Sequence, residues 1–164
     1  MKAKDFGNGI WTIAGFFSKG ECEDWINKSE ELGYEAAKVN RGKQQVLLKT
    51  VRNNERLIYE SEDLAQELWA RVQRFVPPTT VYGIACGLNE RFRFYKYQPG
   101  QVFRPHQDGS FIRHIHEWSS FTFMIYLNED MVGGETKFNT CSIQPTTGKA
   151  LIFRHELMQE GSEV

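Results

Sequence analysis

The sequence predicts an α+β fold that is mainly β, with two helices ahead of a run of short strands. Helical spacing of apolar residues is found before residue 80, and short alternating stretches between Gly and Pro turns follow it. Aromatic residues make up 13% of the chain, which is typical of a β core filled by large flat side chains. The length of 164 residues suits one domain. We predict a single domain over residues 1–164, with helical support over 1–80 and a β core over 81–164.

The first helix is predicted from a capping box that follows a short apolar stretch. Residues Ile10 to Phe17 are predicted to form the first strand and to end at a turn. Ser18 and Glu21 then have the spacing at which each side chain caps the backbone amide of the other. Apolar residues recur at helical spacing until Gly33, which is placed to end the helix.

The second helix is predicted to begin near Ser61, because the acidic residues that follow favour the positive end of a helix. Two prolines at 77–78 stop it. Between the two helices, residues 34–56 are basic and irregular. We predict a solvated loop there with one strand near Gln45 to Leu48, or alternatively a lid that grips a substrate. The two helices indicate a helical layer on one face of a sheet.

The later strands are predicted from side chains that alternate in character. From Phe92 to Tyr97, Arg93 and the tyrosines share a polar and aromatic face, and the phenylalanines share the opposite face. The stretch from Ser119 to Asn128 alternates most clearly, and Tyr126 lies on its more polar face. Many short antiparallel strands with Gly and Pro turns indicate a sandwich or a barrel.

The residues His106-Gln107-Asp108 outline a metal site at the end of a predicted strand. An imidazole and a carboxylate two residues apart project from the same face of an extended chain. They are two of the three ligands of the facial triad that holds non-haem Fe(II) in oxygenases and leaves further positions open. Taken alone, the pair is also compatible with a hydrogen-bonded surface pair, so the neighbouring motifs decide its interpretation.

These neighbouring motifs have the order and spacing of a known family. They are Tyr97-x-x-Gly100 before His106-x-Asp108, and Tyr126-Leu127-Asn128 and Gly133-Gly134-Glu135-Thr136-x-Phe138 after it. Roughly from Phe92 to Val164, the chain resembles the 2-oxoglutarate- and Fe(II)-dependent dioxygenases of the prolyl 4-hydroxylase-like superfamily. The resemblance implies a double-stranded β-helix, or jelly roll, that uses Fe(II), 2-oxoglutarate and O2, with ascorbate as an optional reductant.

By this resemblance, His106 and Asp108 are expected to be catalytic residues that ligate Fe(II). Tyr97 and Tyr126 match family tyrosines whose hydroxyl groups help to hold the distal carboxylate of 2-oxoglutarate. The implied reaction is hydroxylation of a C–H bond of a peptide side chain or a small molecule, coupled to decarboxylation of 2-oxoglutarate to succinate. The alternative is a catalytically impaired β-helix binding module that keeps the pocket.

Two departures from the family's pattern support this alternative. The family's distal histidine begins a His-Glu-Gly segment, and here the segment begins with Gln159. His155 is the nearby histidine that can replace it as the third metal ligand. The sequence leaves open whether His155 or Gln159 occupies that position. The family's Lys or Arg for the far carboxylate of 2-oxoglutarate would fall beyond Val164. Either the chain lacks the last strand of the β-helix, or another base serves, and Arg93 is the best placed for that role.

Charge and cysteine content limit the expected partners. The 20 Lys and Arg residues nearly balance 21 Asp and Glu residues, so no global field recruits nucleic acid or a membrane surface. The three cysteines form no paired motif, which favours a reducing compartment. No apolar run resembles a signal peptide or a membrane helix. We therefore expect a cytoplasmic protein whose partner is a peptide or small-molecule substrate.

Overall fold

In the described part of the chain, the fold combines two α-helices with many short strands. The computed structural model describes residues 1–37, 39–41, 44–46 and 53–164. The helices are α1 (Lys19–Leu32) and α2 (Glu62–Val72), and neither is long and apolar enough to cross a membrane. The strands in chain order are β1 (Lys2–Gly7), β2 (Ile10–Ala14), β3 (Glu35–Ala36), β4 (Val39–Arg41), β5 (Gln44–Val46), β6 (Glu55–Glu60), β7 (Thr79–Thr80), β8 (Gly83–Ile84), β9 (Arg91–Lys96), β10 (Phe103–His106), β11 (Ile112–His114), β12 (Glu117–Trp118), β13 (Phe121–Ile125), β14 (Thr136–Phe138), β15 (Ser142–Ile143), β16 (Ala150–Arg154) and β17 (Gln159–Gly161).

Both helices begin at the serines that the sequence indicates. The Glu21 amide donates to Ser18 Oγ at 3.2 Å, and the Ser18 amide donates to Glu21 Oε2 at 2.7 Å, which completes the capping box. At the second helix, the Leu64 amide donates to Ser61 Oγ at 3.1 Å. Gly33 ends α1 with a φ of +83°, a value that glycine adopts without steric cost. These ends are local interactions, and all of them match the prediction.

The first large sheet has the strand order β1-β2-β16-β13, with antiparallel pairing throughout. The N-terminal strands thus belong to the same sheet as strands from the end of the chain. Side chains alternate along β16: Ala150 and Ile152 join a core cluster with both helices, while Leu151 and Phe153 join a second cluster. One face of the sheet is therefore covered by helices, and the other face is directed inward.

The second large sheet has the order β10-β17-β14-β15 and lies against the inner face of the first. Phe138 of β14 packs edge-to-face on Phe153 of β16, with ring centroids 5.0 Å apart. Tyr126 is the residue after β13, and its hydroxyl donates to Thr136 Oγ1 of β14 at 2.7 Å. The two sheets therefore form a sandwich with the helical layer outside it.

A smaller sheet, β3-β6-β9, carries the strand that precedes the site. Strand β9 pairs with β6 over its whole length. Trp25 of α1 packs on Tyr59 of β6 and on Phe94 of β9, with ring centroids 5.9 and 5.5 Å apart. These aromatic contacts hold β9 against the first helix.

The predicted mainly β fold with two helices is confirmed, and its bounds differ in places. Helix α2 ends at Val72 rather than at the prolines, because a 3-10 turn over Gln73–Phe75 follows it. Strand β1 was not indicated by the sequence, because its six residues are mostly exposed and lack an apolar face. Of the strand predicted near Gln45 to Leu48, β5 covers Gln44–Val46, and residues 47–48 lie outside the described residues. The double-stranded β-helix stays a prediction, and so does the alternative in which its last strand is missing.

Candidate active site

His106 is the last residue of β10, and its ring is held in one orientation. Its Nδ1 lies 2.8 Å from the carbonyl oxygen of Arg104. Because a carbonyl only accepts hydrogen bonds, Nδ1 carries a proton, and Nε2 is the ring nitrogen that can present a lone pair to a metal. The ring also stacks on Phe103, with centroids 3.6 Å apart. Metal-ligating histidines are oriented in this way, with the second nitrogen bonded to a backbone carbonyl.

The Asp108 carboxylate is directed to the same point as the His106 ring. Its Oδ1 lies 3.4 Å from His106 Nε2, and its Oδ2 accepts a hydrogen bond of 2.5 Å from the Thr122 hydroxyl. Thr122 belongs to β13, so this hydrogen bond joins the first sheet to the segment that follows β10. Burial raises the pKa of Asp108, but the His106 ring and the Thr122 hydroxyl outweigh it and hold the pKa below its usual range. The carboxylate is therefore ionised at neutral pH.

Gln159 is the third side chain at this point. The pairing of β10 with β17 sets it directly opposite His106. Its Nε2 lies 2.6 Å from His106 Nε2 and 3.4 Å from Asp108 Oδ1. An imidazole, a carboxylate and an amide thus converge between the two strands, and all three side chains are partly buried.

His155 lies in the turn between β16 and β17, beside this group. Its backbone amide donates to the Ser120 carbonyl at 3.0 Å, and its Nδ1 lies 3.4 Å from Ser110 Oγ. Burial lowers the pKa of His155, although the charge of Asp108 opposes the shift. Among the described residues, no three His, Cys, Asp or Glu side chains are grouped so as to hold a metal ion. That His155 ligates a metal stays a prediction.

A cleft of about 260 Å³ opens next to Asp108 and His155. Two aromatic side chains and several polar ones complete its lining: Tyr82, Gln107, Ser110, Trp118, Ser120 and Glu156. The carboxylate of the candidate metal site is therefore accessible from a space that can hold part of a substrate.

The two tyrosines expected to bind 2-oxoglutarate have different surroundings. Tyr126 is only 9% exposed, and burial raises its pKa even though the Thr136 hydroxyl accepts its hydrogen bond. Its hydroxyl group therefore stays protonated. The Tyr97 hydroxyl lies over Gly161 of β17, where a Cβ atom would be 3.4 Å from it. Strand β17 thus carries Gln159 and passes beside Tyr97.

The two arginines near the site, Arg93 and Arg154, have different surroundings. Arg93 is exposed on β9, and its charge is one of the smaller contributions to the lowered pKa of His155. Arg154 donates from Nε and Nη2 to the Tyr82 hydroxyl at 3.1 and 2.6 Å, and it pairs with Glu156 at 2.5 Å. Tyr82 also donates to Glu156. This network borders the cleft, so Arg93 is the better candidate for an incoming carboxylate.

Two contacts of the site were not indicated by the sequence. Thr122 is the partner of Asp108, and its only signal was its place on the more polar face of a strongly alternating strand. Tyr82 joins Arg154 from 72 positions away in the chain, and no sequence pattern connects such distant residues.

The comparisons with known proteins agree with the motifs. Residues 92–164 match the sequence model of the 2OG-Fe(II) oxygenase superfamily. The fold is similar to that of the viral collagen prolyl hydroxylase from Paramecium Bursaria Chlorella virus-1, solved as a 2OG complex, with a TM-score of 0.64 and 21% identity over 96% of this chain and 90% of that chain. A Pseudomonas putida prolyl-4-hydroxylase gives a TM-score of 0.67 and 18% identity over 95% and 86%. None of the curated protein sequences matches this chain.

The resemblance derived from the motifs is therefore confirmed. The matched model is that of the 2OG-Fe(II) oxygenase superfamily, and it covers the same part of the chain as the motifs. The family implies Fe(II), 2-oxoglutarate and O2. For the residues before 92, the likeness to the two solved structures shows a shared fold.

The convergent side chains fit Fe(II) at two positions. His106 offers an imidazole nitrogen, and Asp108 offers an ionised carboxylate oxygen. The Arg104 carbonyl holds the first side chain and the Thr122 hydroxyl holds the second, as is usual for side chains that bind metals. Gln159 places a neutral amide beside them, at the point where a histidine was expected from the family.

Proposed function

We propose that this protein is a non-haem Fe(II)- and 2-oxoglutarate-dependent oxygenase that hydroxylates a C–H bond of a peptide side chain or a small molecule. In this proposal, His106 and Asp108 ligate the metal inside a double-stranded β-helix. Bound Fe(II) supplies the O2 chemistry that couples decarboxylation of 2-oxoglutarate to succinate with hydroxylation of the substrate. The protein orients the ligands and the substrate and excludes water from the site.

The observation that carries the proposal is the convergence of His106 Nε2 and Asp108 Oδ1 at 3.4 Å. The Arg104 carbonyl orients the ring, and the Thr122 hydroxyl orients the carboxylate. A surface ion pair between two side chains has no need of such outer partners, because solvent satisfies its remaining atoms. The support for a metal site is therefore the oriented pair rather than the motif alone.

For 2-oxoglutarate, we propose contacts with Tyr97, Tyr126 and Arg93. A dicarboxylate in a partly buried site needs a cation, since an unpaired buried charge costs several kcal/mol. Arg93 is exposed on β9, and the protonated Tyr126 hydroxyl can donate to a carboxylate in place of Thr136. Binding of 2-oxoglutarate should therefore weaken in an Arg93→Ala variant.

A peptide is the first substrate class to test. The two solved structures of similar fold are named as prolyl hydroxylases, one of them a collagen prolyl hydroxylase. In this chain, Tyr82 and Trp118 give the cleft beside Asp108 two aromatic walls, which suit an extended peptide or a flat small molecule. One fold hosts many substrates, so the similarity alone does not make proline the target.

Gln159 favours a second candidate function, a binding module that keeps the pocket without turnover. It lies against both His106 and Asp108, where the family has a histidine. These contacts set Gln159, rather than His155, against the two proposed metal ligands. A metal titration of a His155→Ala variant tests this directly, because loss of binding would show that His155 is a ligand.

The test of the proposed function is succinate formation. The purified chain is loaded anaerobically with Fe(II) and 2-oxoglutarate, mixed with O2 and ascorbate, and compared with Asp108→Asn and with a matched control, Asp130→Asn, at an exposed position. If the protein is an oxygenase, the parent chain and the control form succinate. The Asp108→Asn variant forms no more succinate than a sample without protein. Tight 2-oxoglutarate binding without any succinate would instead establish the binding module.

A further inference from the structure

We propose that Gln159 is an internal competitor for the metal ion. Its side-chain amide group occupies the metal-free site by hydrogen bonding to His106 and Asp108, and it must leave before a divalent cation binds. This inference rests on the metal site of the proposed function. It concerns metal affinity rather than turnover, so the two can fail separately.

The direction of the hydrogen bonds follows from the Arg104 carbonyl, which is bonded to the other ring nitrogen of His106. Because the Arg104 carbonyl accepts the Nδ1 proton at 2.8 Å, Nε2 is the ring nitrogen that can accept a hydrogen bond. Asp108 Oδ1 is also an acceptor. A group that contacts both must be a donor, and the NH2 end of the Gln159 amide is such a group, with two protons to give. An amide oxygen in the same place would face two acceptors.

The distances also favour a hydrogen-bonded site over a site spaced for a metal. Adjacent ligands of an octahedral cation lie about 3 Å apart when the bonds to the metal are about 2.1 Å long. The Gln159 and His106 nitrogens are 2.6 Å apart, which is closer than two such ligands and within hydrogen-bonding distance. A cation therefore has to separate this pair before it gains both donors.

The backbone of Gln159 is fixed, so the exchange is confined to its side chain. Strand β17 is an inner strand of its sheet, and Gln159 is paired with His106 on one side and with Phe138 on the other. A cation can displace the amide by rotation of the side chain, without movement of the strand. The cost of entry is the loss of the amide's hydrogen bonds, one of them to a carboxylate.

A histidine at position 159 would favour metal binding, whereas the glutamine opposes it. An imidazole presents a lone pair to a cation, and it cannot donate to His106 and Asp108 with two protons from one atom. The same position would then add a ligand instead of a competitor. The proposal therefore predicts that the amide weakens metal binding and that a histidine in its place strengthens it.

The experiment is calorimetric titration of the 164-residue chain with Mn(II), which replaces Fe(II) without oxidation. We compare the parent chain with Gln159→Ala, Gln159→His and a matched control, Gln144→His, whose exposed amide lies 3.3 Å from Glu135. Gln159→Ala should bind Mn(II) at least as tightly as the parent chain, and Gln159→His about tenfold more tightly or better, which corresponds to ~1.4 kcal/mol. The control should match the parent chain.

Weaker binding by Gln159→Ala would overturn the proposal, because it would make the amide a net ligand. Unchanged affinity in Gln159→His would overturn it as well. A measurement on the unmodified protein guards against a variant that fails to fold: the Gln159 side-chain NH2 signals, assigned by their absence in Gln159→His, should shift on addition of Zn(II). Signals that stay in place while Zn(II) binds would refute displacement. Succinate formation is measured separately and decides only the proposed function.

Discussion

Replacement of Thr122 by valine should weaken metal binding without changing any proposed ligand. The Thr122 hydroxyl donates to Asp108 Oδ2 at 2.5 Å, and valine keeps the branched shape of threonine but lacks the donor. A hydrogen bond to a charged group contributes about 1.5–3 kcal/mol. Loss of an outer partner of a metal ligand typically costs about 10–100-fold in metal affinity, or ~1.4–2.8 kcal/mol. The two magnitudes agree, and we expect a loss within this range.

The assay is Mn(II) titration of Thr122→Val, with Thr122→Ser and Thr140→Val as controls. Serine keeps the hydroxyl and should retain most of the affinity, while Thr140 is exposed and its substitution should have no effect. Equal affinity in Thr122→Val and the parent chain would refute the reasoning, because the hydrogen bond would then have no part in holding the carboxylate. A loss in both Thr122 variants would indicate a packing effect instead.

Three further predictions concern stability and the co-substrate. The hydrogen bond from Arg71 lowers the pKa of Glu21 from 4.5 to about 2, so its stabilisation is present above pH 4.5 and is lost as the pH falls towards 2. Because Glu21 is partly exposed, Glu21→Gln should lower the unfolding free energy in urea by only ~1 kcal/mol at pH 7, and an equal loss near pH 2 would contradict this assignment. Gly148→Ala should cost about 2 kcal/mol or more, because Gly148 has a φ of +75° and a Cβ there would lie 2.1 Å from the Phe17 carbonyl oxygen; a thermal melt unchanged by the substitution would contradict it. Tyr126→Phe should lower stability by about 1–2 kcal/mol and also weaken 2-oxoglutarate binding; in calorimetric titration, an unchanged 2-oxoglutarate affinity would exclude the proposed contact.

Local features of this chain were predictable because their causes lie within a few residues. The cap of α1 joins Ser18 to Glu21, and the cap of α2 joins Ser61 to Leu64, so each signal is contained in four consecutive residues. The faces of β13 follow from alternation in its own sequence. The family motifs around His106 and Asp108 are likewise short, which is why the class of protein was accessible from the sequence.

The sequence alone did not determine which side chain completes the group at His106. His155 and Gln159 are both close in sequence to the expected position, and only the pairing of β10 with β17 sets Gln159 opposite His106. Thr122 reaches Asp108 in the same way, because the two sheets pack face to face. Registers between distant strands depend on the packing of the whole sandwich, since a shift of one residue would turn each side chain to the opposite face. The site is therefore a tertiary property, whereas its two proposed ligands were predictable from the sequence.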